Sequence, residues 1–224
     1  MNRPRRTAAA AAALALATGG GCADDGGRAG VREAMDSMVS ITAQRCEQPN
    51  DIHGLGVVVG ADLILTAGHT VEGQLRRLLV DGQPAAVVDI DRNADLAVVH
   101  APLPPGTDGP PGVAISALRP DRLILLAPDG PRTVAVHSRQ TLVIEHVSDL
   151  TTYRRDVIVF EPGVTEGSSG SALVDDQGRL AGIVILNDGS ADRGIAVTAE
   201  EAGAVLAAAV AATAATETTA PVSC

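Results

Sequence analysis

The stretch Leu55-Gly56-Val57-Val58-Val59-Gly60-Ala61-Asp62-Leu63-Ile64-Leu65-Thr66-Ala67-Gly68-His69-Thr70-Val71 decides how this chain is read. Two β-branched, apolar runs flank Gly60-Ala61-Asp62, the pattern of a hairpin between strands. Outward from it the same grammar repeats. MVSITAQ precedes it at 38–44; LRRLLVDG and PAAVVDID follow, joined at Asp81-Gly82; then comes ADLAVVHA. LPPGTDGPPG at 103–112 reads as a connector, since proline and glycine interrupt strand pairing. Beyond it VAISAL, RLILLAP, RTVAVHSRQ, TLVIEHV, DVIVFEP, SALVDD, LAGIVIL and GIAVT form a second series, with turns at Asp129-Gly130, Asp176-Gln177-Gly178 and Asn187-Asp188-Gly189. Many short strands at regular spacing predict an all-β protein, a sandwich or a pair of barrels.

A single helix is expected near the end, over residues 198–212, where Thr198 and Glu201 have the spacing of a capping box ahead of an Ala-rich run. Residues 213–224 read as a tail. With 46% apolar residues but one Tyr and one Phe, the core must be built from aliphatic side chains. All 17 basic residues are arginine, a bias that carries no functional reading.

Residues 1–21 follow the order of a secretory signal: Arg3, Arg5 and Arg6, a short Ala/Leu run, then small residues up to Cys22. Cys22 after three glycines resembles a bacterial lipoprotein site, although Gly19 stands where Leu is usual; an ordinary secreted precursor cut nearby is the alternative. Residues 22–35 are Gly-rich and charged and are expected to be a flexible tether. The net charge of −10 becomes more negative when the signal leaves, which disfavours nucleic acid and anionic membranes as partners. Export puts the cysteines in an oxidising compartment. With Cys22 lipidated, Cys46 and Cys224 remain to pair, a bridge worth up to about 5 kcal/mol by loop entropy. Two free thiols, or Cys22 with Cys46 in an unlipidated chain, are the alternatives.

Three local segments carry chemistry: ILTAGHTV with His69, RNADLAVV with Asp95, and EPGVTEGSSGSALVDDQGRLAGIV with Ser169 in a Gly-flanked turn. Each alone is weak evidence. Their order, His then Asp then Ser across two β-rich halves, is not. In LTAGHT, ADLAVV and GSSGSALV the chain resembles the trypsin/chymotrypsin-like serine proteases of the bacterial secreted type, over roughly residues 36–205. The resemblance implies a chymotrypsin-like double β-barrel, with barrels over 36–108 and 109–197, and His69, Asp95 and Ser169 as catalytic triad. It also implies an oxyanion hole from the N–H groups of Gly167 and Ser169, protein or peptide substrates, and no cofactor.

The sequence departs from the family in several places. Thr70 replaces a common Cys, Ser171 and Ala172 replace Gly and Pro, and Ser168 stands where zymogen-activated members carry Asp. Activation by a new N-terminus is therefore not expected. The pocket for the residue before the cut should be walled near 160–165, 183–187 and 193–196; Gly163 offers no counter-charge, so a small or apolar residue is expected there.

Ser168, Ser171, Asp89 and Asp91 are the competing triad assignments; His53, His100, His137 and His146 read as structural or surface residues. No metal site is expected, since no His/Cys pairs have ligand spacing. The chain is expected to be a monomer, secreted or held at the cell envelope by lipid on Cys22. An inactive protease fold serving as a binding module is the competing functional reading, and an exported β-sandwich with coincidental motifs is a third.

Overall fold

The computed structural model describes residues 23–60, 62–103, 120–145, 151–187 and 192–213. The expected signal at 1–21, Cys22, most of the expected connector at 103–112, the expected VAISAL strand, His146, Asp188 and Gly189 of an expected turn, and the end of the tail with Cys224 lie outside them.

Seven strands make the first unit: β1 (Met38–Arg45), β2 (Ile52–Gly60), β3 (Leu63–Ala67), β4 (Leu75–Val80), β5 (Gln83–Pro84), β6 (Ala86–Asp91) and β7 (Leu96–His100). They form one curled antiparallel sheet in the order β5-β4-β1-β2-β3-β7-β6. The hairpin read from the opening stretch is present, with Gly56 opposite Thr66 and Val57 opposite Leu65. Asp81 and Gly82 turn β4 into β5 with φ of 47° and 78°, the left-handed pair that a two-residue hairpin loop requires.

The second unit comprises β8 (Arg122–Ala127), β9 (Gly130–Glu145), β10 (Thr152–Glu161), β11 (Ala172–Val174), β12 (Leu180–Asn187) and β13 (Gly194–Thr198), closed as the barrel β10-β13-β12-β11-β8-β9. RTVAVHSRQ and TLVIEHV, read as two strands, are one: β9 pairs with β8 through its first half and with β10 through most of its length.

Alternation along the strands explains why the two units sit together. In β7, Ala97 and Val99 enter the interior of the first sheet, while Leu96 and Val98 face a second cluster shared with the other barrel. In β10, Ile158 and Phe160 fill the second barrel, while Val157 and Val159 enter the shared cluster. Strands buried on both faces read as continuous apolar runs, which is how ADLAVV and DVIVF appear in the sequence.

Two expectations are corrected. The supposed tether is helix α1 (Ala23–Asp36). Two of its three glycines are contact residues: a methyl on Gly27 would meet the Asp176 carbonyl, and one on Gly30 would collide with that of Gln177. Ala34 is fully buried, with Val31 and Met35 packed against the shared cluster. The terminal helix does form, as α3 (Ala199–Thr213), but without the capping box. Thr198 stays in β13, its buried hydroxyl bonded to no described residue, and Glu201 instead accepts the Asp156 amide at 2.7 Å. Through Ala199, Ala202, Val205 and Ala209, α3 buries its apolar face in the shared cluster beside Leu96 and Val98 of the first sheet.

Candidate active site

His69 lies just past the end of β3, in the single helical turn α2 (Gly68–Val71), not on the strand itself. This turn is aimed by Asp95. The Gly68 amide donates to the Asp95 carbonyl at 2.8 Å, and the His69 amide donates to Asp95 Oδ1 at 2.8 Å. A side chain on Gly68 would press on the Asp95 backbone at 3.0 Å, so glycine permits the approach. Asp95 itself takes a left-handed conformation (φ 56°), which costs a non-glycine residue about 1–2 kcal/mol and is held here by those two bonds.

The other Asp95 oxygen, Oδ2, lies 2.9 Å from His69 Nδ1. The far ring nitrogen, Nε2, lies 3.0 Å from Ser169 Oγ. Carboxylate, imidazole and hydroxyl therefore form one hydrogen-bonded line across the seam between the two units. Arg45 adds a guanidinium N–H to the His69 carbonyl. The carboxylate is largely shielded (16% exposed) and the imidazole is open to solvent (44%), so the line runs from the interior to the surface. In such a line the imidazole can take the hydroxyl proton while the carboxylate fixes the ring tautomer.

Ser169 sits in a turn bound to both units. The Leu55 amide of β2 donates to the Ser169 carbonyl at 2.7 Å, and the Gly170 amide donates to the Val184 carbonyl of β12 at 2.8 Å. Gly170 is left-handed (φ 88°), and any Cβ there would collide with the Leu55 carbonyl. Gly167 is also left-handed (φ 84°). The N–H groups of Gly167 and Ser169 donate to no other described residue.

The competing residues stand outside this line. Ser168 is 3% exposed and Ser171 fully buried. Asp91 accepts the amides of Asn93 and Ala94 within its own turn, and Asp89 accepts that of Ile90. His53 faces Thr42 across β1 and β2 at 3.4 Å, and His137 faces Glu161 at 3.5 Å. Near the expected specificity pocket, Phe160 packs under Gly194, Val164 is buried, and Arg193 is paired with Glu161 at 2.8 Å.

One residue escaped the sequence reading. Arg155 on β10 is 5% exposed, and its Nη1 lies 3.4 Å from Asp95 Oδ2. The signal was present: Arg155 is in phase with Val157 and Val159, so strand alternation turns a charge toward the apolar seam.

A profile of the trypsin-like peptidase domain family matches residues 54–183. The serine proteases Rv3671c and MT3772 of Mycobacterium tuberculosis strains are each 30% identical over 196 residues, covering 79% of this chain and 47% of theirs. The chain thus spans about half the length of the curated relatives it matches. Among solved structures, the active form of the Rv3671c protease from M. tuberculosis superposes with a TM-score of 0.70 at 24% identity, covering 87% of this chain and 88% of that one. The HtrA-type protease AlgW with a tripeptide gives 0.62 at 22%, covering 81% and 62%. These likenesses agree with the fold built above, a chymotrypsin-like pair of β units with a C-terminal helix. With its match running from β2 past the Ser169 turn into β12, the chain belongs to the trypsin-like peptidase domain family.

Proposed function

We propose that this protein is a serine endopeptidase that hydrolyses peptide bonds in protein or peptide substrates through an acyl-enzyme. The observation that carries this reading is the continuous line from Asp95 Oδ2 through His69 to Ser169 Oγ, with contacts of 2.9 and 3.0 Å. As the Ser169 oxygen attacks the carbonyl carbon, Nε2 of His69 takes its proton. Asp95 holds the Nδ1–H and stabilises the imidazolium, and the N–H groups of Gly167 and Ser169 receive the oxyanion. The imidazolium then protonates the leaving amine, and water repeats the sequence on the ester. The neutralised Arg193–Glu161 pair and the apolar Phe160 and Val164 support a small or apolar residue before the cut.

We further propose export: residues 1–21 act as a signal, Cys22 carries lipid, and the monomeric enzyme works at the cell envelope or beyond it. Cys46 and Cys224 are assigned to a disulfide. What supports the pairing is that α3 packs beside β7, returning the chain to the sheet that contains β1, with residues 214–224 still to follow. Eleven residues reach roughly 36 Å when extended.

A fluorophosphonate probe tests the central reading. Labelling of Ser169 that disappears in Ser169→Ala, together with turnover of casein or a peptide library, is expected. Folded protein that neither labels nor turns over would instead be a binding module. Mass spectrometry of the mature N-terminus and non-reducing peptide mapping decide the lipid and the disulfide.

A further inference from the structure

We infer that Arg155 is a positioning residue for the triad, its buried guanidinium holding the Asp95 carboxylate in place against His69. The inference rests on the proposed hydrolase reading, and it starts from a cost. A guanidinium removed from water is expensive unless paired, and an apolar side chain would fill the seam as well. Arg155 is nevertheless buried there, beside Val157 and Val159.

Its partners are few and specific. Nη1 lies 3.4 Å from Asp95 Oδ2, the oxygen that also faces His69 Nδ1. Nη2 reaches the Arg92 carbonyl at 3.4 Å, and Nε is buried with no hydrogen bond among the described residues. From α3, Glu201 balances the cation. Burial holds its carboxyl above the usual range, the Asp156 amide and Arg155 pull it down, and Asp156 and Asp91 push it up. Asp156, next on β10, is bound by the Thr141 hydroxyl at 2.6 Å. The Arg92 side chain is spent on Glu72 at 2.6 Å, and Arg45 serves the His69 carbonyl. The cation facing the His69–Asp95 pair from the interior is thus Arg155, with Glu201 behind it.

The sign follows from charge alone. A cation beside the pair opposes any added proton, whether it settles on the ring or on the carboxylate. Removing the cation makes the pair take up its proton at higher pH, and removing Glu201 does the reverse.

The experiment is an NMR titration of the His69 ring, assigned with His69→Ala, alongside the pH profile of kcat/KM. In Arg155→Met the ring midpoint and the acidic limb should both rise by about one pH unit relative to the parent, with KM little changed. Arg155→Lys should stay within about 0.3 unit of the parent, and Glu201→Gln should fall by a few tenths. A folded Arg155→Met whose midpoint matches the parent overturns the inference. Where that variant does not fold, a Glu201→Gln midpoint that stays or rises overturns it equally. The ring titration needs no turnover, so an inactive parent counts against the hydrolase reading and leaves this test standing.

Discussion

The Leu55 amide donates to the Ser169 carbonyl at 2.7 Å, so the peptide group of Ser169 is fixed by the opposite unit. The Thr66 hydroxyl steadies the same residue by donating to the Leu55 carbonyl at 2.6 Å. Glycines at 54 and 170 let the two backbones meet: a methyl on Gly54 would lie 3.0 Å from the Ser169 carbonyl. The hydroxyl therefore reaches His69 through a rigid junction.

That junction separates two glycines of one turn. Gly170→Ala drives a Cβ into the Leu55 carbonyl at a left-handed φ, and should abolish fluorophosphonate labelling while lowering the melting temperature. Gly167→Ala meets open space. Its left-handed φ alone should cost about 1–2 kcal/mol, with the fold retained. As the peptide relaxes away from the oxyanion position, kcat/KM should fall roughly 10–100-fold. Equal damage from both substitutions would contradict the packing described here.

Asp95→Asn should lower kcat about 10⁴-fold, because the amide N–H would face His69 Nδ1 and favour the wrong tautomer. It should also lower the melting temperature, because Arg155 loses the anion beside it. Thermal scans and steady-state kinetics on the same preparation check both effects.

Asp175 is 2% exposed and accepts the amides of Gln177 and Arg179 at 2.9 and 3.0 Å, and both Nε and Nη2 of Arg179 at 2.7 Å. Asp175→Ala strips the hairpin after Ser169 of these bonds and should cost about 2–4 kcal/mol. In a chain of this size that is a melting shift of roughly 5–15 °C. Because α1 rests on this hairpin, hydrogen exchange in Ala23–Asp36 should quicken as well.

Glu201 sets a pH dependence of stability. Burial raises its carboxyl above the ordinary 4.5, so the folded chain holds a proton that the unfolded chain has released. Stability attributable to this group should fall as pH climbs from about 4.5 through the raised value, then level off. Glu201→Gln removes the dependence. Its melting temperature should gain on the parent's across that window, and parallel curves would count against the assignment.

How much of this was legible in the sequence follows from how local each signal is. His69, Asp95 and Ser169 could be placed because each sits in a short block whose strand and turn residues fix its conformation. Gly27 and Gly30 could not. Glycines that permit slack and glycines that permit close packing look alike until the Asp176–Gly178 turn is set against them. Thr198 and Glu201 matched a cap by spacing, but β13 claimed the threonine and the Asp156 amide claimed the carboxylate, a competition between distant segments. Arg155 was readable in principle from strand phase; its partner, sixty residues earlier, was not.

The seating of α1 has a mechanical consequence. Its 14 residues make a rod of roughly 21 Å, fastened to the barrel that bears Ser169. Whatever precedes Ala23 joins the molecule through that rod. A chain joined by a loose leash could swing at its junction; this one enters along a helix already pinned to the Asp176–Gly178 turn.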